Sequence, residues 1–107
     1  KVRAIAGTTL KRSTMLPNLP TVHESGLPNY ESGVWYAMFA PAGVPRPIIE
    51  RINAETRRVM NEPDVKASIA GQGIEANPGT PEELGKYVAS ELQKYARVAQ
   101  EAGIKPE

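Results

Sequence analysis

Proline decides where this chain can be regular. It lacks a backbone N–H and holds φ fixed, so it opens helices but breaks helix interiors and inner strands. The chain has ten prolines, and the stretches between them set the largest elements it can build. Val2 to Thr8 precede the first of them and are mostly apolar with loose alternation. That pattern predicts a strand buried on both faces, as in parallel α/β sheets. From Leu16 to Tyr30, Pro17, Pro20, Gly26 and Pro28 forbid long regular structure. Within it, Thr21-Val22-His23-Glu24 has capping-box spacing and predicts one or two helical turns ending near Gly26. Val34 to Ala40 is rich in aromatic residues and predicts a second strand, ended by Pro41-Ala42-Gly43-Val44-Pro45.

Pro47, Pro63 and Pro81 announce helices, while Asn77-Pro78-Gly79 turns the chain. One is expected to start between Pro45 and Pro47 and to stop near Asn61, before Pro63. Ile48, Ile52 and Val59, flanked by Ile49, Thr56 and Met60, form its apolar stripe. Pro63 opens a shorter helix through Val65 and Ile69, closed by Gly71 and Gly73, and Ile74-Glu75-Ala76 reads as an edge strand. Thr80-Pro81-Glu82-Glu83 is the strongest local signal, combining an N-cap threonine, proline at N1 and glutamate at N3. The long helix after it carries Leu84, Val88, Leu92, Tyr95, Ala99 and Ala102 on one face, with Gly103 as the C′ residue.

The resulting order is strand, loop with a short helix, strand, helix, short helix, short strand, long helix. This is an α/β pattern with too few strands for a self-sufficient sheet. The chain also starts at Lys1, directly in an apolar run. Both features lead to the expectation that it is part of a longer protein, with a processing boundary at its start.

Composition narrows the function. A net charge of +1 from 13 basic and 12 acidic residues offers no basic face for nucleic acid and no polybasic membrane anchor. The absence of cysteine removes disulfides, thiol nucleophiles and cysteine-based zinc sites. No apolar run is long enough to span a bilayer. His23 is the single histidine, so a metal site would need carboxylates for most of its ligands. A serine-histidine-aspartate arrangement would have to draw on His23, Ser13 or Ser25, and Asp64; Asp64 is accounted for by its place at a helix start. Glu82 and Glu83 are read as helix caps rather than as an acid–base pair. The glycines form no phosphate loop. No catalytic residue, metal or cofactor is therefore assigned.

Binding residues are more readily suggested. Thr8 and Thr9 end a parallel-type strand, and ligands of open α/β sheets collect at such carboxyl ends. Hydroxyls and backbone amides there suit a carboxylate, although a plain strand-end turn is the more ordinary account of them. Trp35 and Tyr36 either line a cleft or pack as strand residues on opposite faces.

Several stretches in order resemble one family. They are Ala4-Ile5-Ala6-Gly7-Thr8-Thr9 with Lys11-Arg12-Ser13, Leu16-Pro17-Asn18-Leu19-Pro20-Thr21-Val22, and Gly26-Leu27-Pro28-Asn29-Tyr30-Glu31. Trp35-Tyr36-Ala37-Met38-Phe39-Ala40-Pro41-Ala42-Gly43, Gly79-Thr80-Pro81-Glu82-Glu83 and Ala102-Gly103-Ile104-Lys105 complete the set. Together they are similar to the C-terminal part of tripartite tricarboxylate transporter solute receptors, the Bug-type proteins. Departures are Gly7 where a branched apolar residue is common, Asn18 for aspartate, His23 for alanine and Tyr95 for tryptophan.

The resemblance implies a partial type II periplasmic-binding-protein fold of the α/β class, with two main strands and packing helices. Residues 1–107 would form the C-terminal part of a two-lobed protein, 1–15 near the crossover between lobes and 34–107 completing the first lobe. The implied function is a non-enzymatic, periplasmic receptor, exported by an upstream signal peptide, that closes its lobes on a small carboxylate and delivers it to membrane permease subunits. Thr8, Thr9, Trp35 and Tyr36 are the ligand-binding candidates by their expected nearness to the cleft. The alternatives are an effector-binding domain of a transcription regulator and a small hydrolase domain relying on His23. Two further expectations are that this stretch alone binds ligand poorly and that the strand Val2 to Thr8 pairs with a second copy.

Overall fold

Three helices carry the regular structure of the described residues. The computed structural model describes residues 1–104, and Lys105, the last member of the family-like C-terminal stretch, lies outside them. Helix α1 spans Arg46–Met60, α2 Pro63–Gly71 and α3 Pro81–Glu101. The chain divides into two compact units, Lys1–Met38 and Phe39–Glu107.

In the second unit every helix begins with proline in its first two positions, as the spacing predicts. Neither α1 nor α2 has a side-chain cap; proline opens both, and Asp64 adds an acidic group in the first turn of α2. Helix α3 has the complete capping box. Glu83 N–H donates to Thr80 Oγ1 at 3.2 Å, and Thr80 N–H donates to Glu83 Oε2 at 2.7 Å. A Cβ on Gly79 would lie 2.9 Å from Glu83 Oε2, so a larger residue there would make the bonded carboxylate shift. At the far end Gly103 adopts φ 68°. Gly103 N–H donates to Gln100 O at 3.2 Å and Ile104 N–H to Ala99 O at 2.9 Å. These paired bonds are those of a Schellman motif.

Helix α1 packs against both α2 and α3. Its half-covered positions are Ile49, Asn53, Thr56 and Met60, a single face by helical spacing. The expected stripe is thus turned by one residue: Ile48, Ile52 and Val59 stay exposed. The physical reason lies in two polar ties to the start of α3. Asn53 Nδ2 donates to Gly79 O at 2.9 Å, and Arg46 Nη2 donates to Glu82 Oε1 at 2.5 Å while Nε bonds Glu50. A comparable shift occurs on α3. Leu84 and Val88 are half-covered as expected, but the next covered residue is Glu91, ion-paired to Lys94, whereas Leu92 is 68% exposed.

Among the described residues no apolar side chain is buried. Half-covered helix faces stand in place of a closed core. Each helix shields one face, and enclosing such a face takes a further layer.

In the first unit the two expected strands carry no ladder. Val2–Thr8 pairs only at Gly7, in an isolated parallel bridge to Thr21. Gly7 N–H donates to Pro20 O and Val22 N–H to Gly7 O, both at 2.8 Å. Val2 and Ile5 are exposed. Val34–Ala40 and Ile74–Ala76 also lack strand pairing. A strand exists through its neighbour's hydrogen bonds, and none of these segments meets a partner of its own length among the described residues. The expected short helix at Thr21–Glu24 is instead a turn, though its capping-box bonds are both made. No described helix is long and apolar enough to cross a membrane.

Candidate functional site

The candidate site is built in the first unit around the bridge at Gly7. Proline at position 20 supplies only a carbonyl, and that carbonyl accepts Gly7 N–H. Thr21, next in sequence, is 1% exposed and organises the turn after it. Its hydroxyl accepts Glu24 N–H at 3.1 Å, its N–H donates to Glu24 Oε2 at 2.8 Å, and its carbonyl accepts Ser25 Oγ–H at 2.7 Å.

Glu24 also faces Arg12. Arg12 Nε donates to Glu24 Oε1 at 3.1 Å and Oε2 at 2.9 Å, and Nη1 donates to Pro17 O at 3.2 Å. The Thr21 backbone N–H, and after it the Arg12 guanidinium, hold the Glu24 carboxyl below its ordinary pKa. The loop Thr8–Lys11 is therefore tied at one end by Gly7 and at the other by Arg12, both ties ending on the Thr21–Glu24 turn.

Thr8 and Thr9 lie exposed on that loop. Thr8 O accepts Ser32 N–H at 2.9 Å, bringing the segment that leads to Trp35 and Tyr36 up to the loop. Thr9 Oγ1 donates to Lys11 O at 2.7 Å. With its proton so engaged, the Thr9 hydroxyl is an acceptor toward anything outside, and a carboxylate needs donors. With Thr9 bonded to Lys11 O, the donors this loop could offer a carboxylate are its backbone amides and the Thr8 hydroxyl. Trp35 is 38% and Tyr36 79% exposed, so in this chain neither is a packed strand residue.

His23 is engaged locally. Its Nδ1 accepts Asn29 N–H at 2.8 Å, and Asn29 adopts φ 64°. That places the ring hydrogen on Nε2 and gives the histidine a structural role in the turn. Among the described residues no group of three or more His, Cys, Asp or Glu side chains is arranged to hold a metal ion. Open grooves mark the surface of the described residues. One of about 530 Å³ runs along α1 past Ile48, Arg51, Ile52 and Glu55, and one of about 350 Å³ along Met15–Leu19. Neither is lined by any of the four candidate binding residues.

Sequence reasoning did not find the Arg12–Glu24 pair. Lys11-Arg12 reads as a solvated loop, and the capping-box spacing marks Glu24 only for its own turn. The guanidinium's partner lies 12 residues away, beyond any local pattern.

Comparisons with known proteins bear on this arrangement. The sequence profile described as "Tripartite tricarboxylate transporter family receptor" matches residues 1–104. The chain is 38% identical over 99 residues to a UPF0065 protein from the tcbD-tcbE intergenic region of Pseudomonas sp. (strain P51), covering 92% of this chain and 30% of that one. It is 33% identical over 104 residues to protein BugT of Bordetella pertussis, covering 97% of this chain and 32% of that one. Among solved structures, R. palustris Rpa4515 with adipate superimposes with a TM-score of 0.77 at 32% identity, covering 95% of this chain and 34% of that one. The periplasmic binding protein BugD gives 0.76 at 32% identity, covering 95% and 35%. The chain thus spans about a third of the length of each of these two relatives.

Proposed function

From the premise that this chain belongs to the tripartite tricarboxylate transporter receptor family, we propose that it forms the C-terminal part of a periplasmic solute-binding receptor for small carboxylates. In this reading residues 1–15 lie near the crossover of two lobes, and residues 34–107 complete the first lobe. The lobes close on the solute, and the loaded receptor, exported by a leader segment, hands it to the membrane permease subunits of its transporter. Thr8 and Thr9 contribute to the cleft, with Trp35 and Tyr36 along its wall. The family is one of receptors, and with His23 held in a backbone turn the hydrolase reading has no feature to stand on.

The observation that carries the proposal is the match of residues 1–104 to the receptor family. A neighbour of the same fold with adipate supports the carboxylate class. Backbone amides and a hydroxyl on a short loop can bind a carboxylate without an arginine in contact with it. Titration calorimetry of the full-length protein with adipate, succinate and citrate tests the reading. Saturable one-to-one binding of at least one is expected; no heat and no thermal stabilisation across the series would overturn it.

A further inference from the structure

We propose that Arg12 and Glu24 are positioning residues for the proposed carboxylate site, fixing the Thr8–Lys11 loop from its far end without touching the solute. The inference rests on the functional reading above and adds to it the device that shapes the loop.

The geometry forms a closed ring. Gly7 is held to the Pro20–Val22 backbone by two bonds of 2.8 Å. Thr21 N–H fixes the Glu24 carboxylate at 2.8 Å. That carboxylate receives Arg12 Nε on both oxygens at 3.1 and 2.9 Å. From Arg12 the backbone runs back through Lys11, Thr9 and Thr8 to Gly7. Within the ring, Thr9 Oγ1 to Lys11 O and Ser32 N–H to Thr8 O set the loop's internal conformation. A second guanidinium bond, Nη1 to Pro17 O, stops Arg12 from swinging.

The pair is poorly suited to a stability role. Its side chains are 44% and 41% exposed, and solvated ion pairs contribute little to folding. What it does supply is direction, since guanidinium hydrogen bonds to carboxylates are geometrically specific. Holding a binding loop ready lowers the ordering cost of association.

The experiment uses the full-length protein and three variants, with adipate as the probe. Glu24→Gln keeps an oxygen for Thr21 N–H, as capping boxes accept glutamine, but removes the charge facing Arg12. Arg12→Gln removes the guanidinium. Thr80→Ala, in the cap of α3 and remote in sequence from the loop, controls for loss of stability alone. In Arg12→Gln and Glu24→Gln the Kd for adipate is expected to rise about tenfold, from lost preorganisation, with little change in Tm. Thr80→Ala is expected to lower Tm and leave Kd alone. Hydrogen exchange at the amides that hold the loop, Gly7 N–H on Pro20 O and Ser32 N–H on Thr8 O, should quicken in the two loop variants only. Unchanged exchange there, or wild-type affinity in both loop variants, overturns the proposal. Absence of adipate binding by the wild type would overturn the functional reading for that solute, while the exchange measurement still decides the positioning.

Discussion

Asn53 Nδ2 donates to Gly79 O at 2.9 Å, so the middle of α1 holds the turn from which α3 departs. The bond explains why the covered face of α1 includes an asparagine while Ile48 and Ile52 face outward. Asn53→Ala is expected to destabilise the second unit by about 1 kcal/mol, the usual worth of such a bond. Asn53→Asp should cost more, since it sets an acceptor against a carbonyl. Urea unfolding followed by helical circular dichroism measures both.

Thr80 and Glu83 exchange backbone bonds across the start of α3. Thr80→Ala removes the acceptor for Glu83 N–H and should cost about 1 kcal/mol, whereas Thr80→Ser should stay close to wild type. Amide exchange at Glu83, read by nuclear magnetic resonance, separates the two.

Two glycines of the α3 region should respond in opposite senses to the same change. Gly85 lies inside the helix with open space where a Cβ would go. Gly85→Ala should stabilise by about 0.8 kcal/mol from helix propensity. Gly103 has φ 68°, and Gly103→Ala should destabilise by about 1 kcal/mol from left-handed strain. Thermal unfolding of the pair tests the contrast.

Acid should loosen the Thr21–Glu24 turn. The folded Glu24 pKa is depressed, chiefly by the Thr21 N–H and then by Arg12. Its contribution is therefore present above the unfolded carboxylate value of about 4.3 and is lost as pH falls through the lower folded value. Glu82 behaves alike, lowered first by its own backbone N–H and then by Arg46. Titration of the Glu24 side-chain carbonyl carbon should give a midpoint below the ordinary range. Arg12→Gln should raise that midpoint only part of the way, because the larger cause is the backbone bond. A full return to the ordinary value would contradict this assignment.

What could be read in the sequence divides along one physical line. The three helices were legible because their signals are local: Pro63 at a start, the Thr80–Glu83 box, Gly103 at an end. The family-like order of short stretches was legible for the same reason. Val2–Thr8 and Val34–Ala40 have strand-like composition, yet a strand also needs a neighbour, and composition does not say where one is. Periodicity located the apolar side of α1 and α3 but not its centre. Asn53 reaching Gly79 is decided by a group 26 residues off in sequence, and Glu91 takes the covered place beside Leu92 while paired with Lys94. In the loop, the Thr21–Glu24 spacing revealed half of the device, while Arg12 could be joined to it only in space.

Val34, Tyr36 and Met38 lie outside any helix or paired strand, are largely exposed, and make no main-chain hydrogen bond among the described residues. Proteolytic enzymes take in their substrates as outstretched chain, a form that such an unpaired run can adopt without breaking bonds. An enzyme that cuts after aromatic residues meets Trp35, Tyr36 and Phe39 in succession here. Brief digestion would therefore nick this run first and release the three-helix portion as a discrete product.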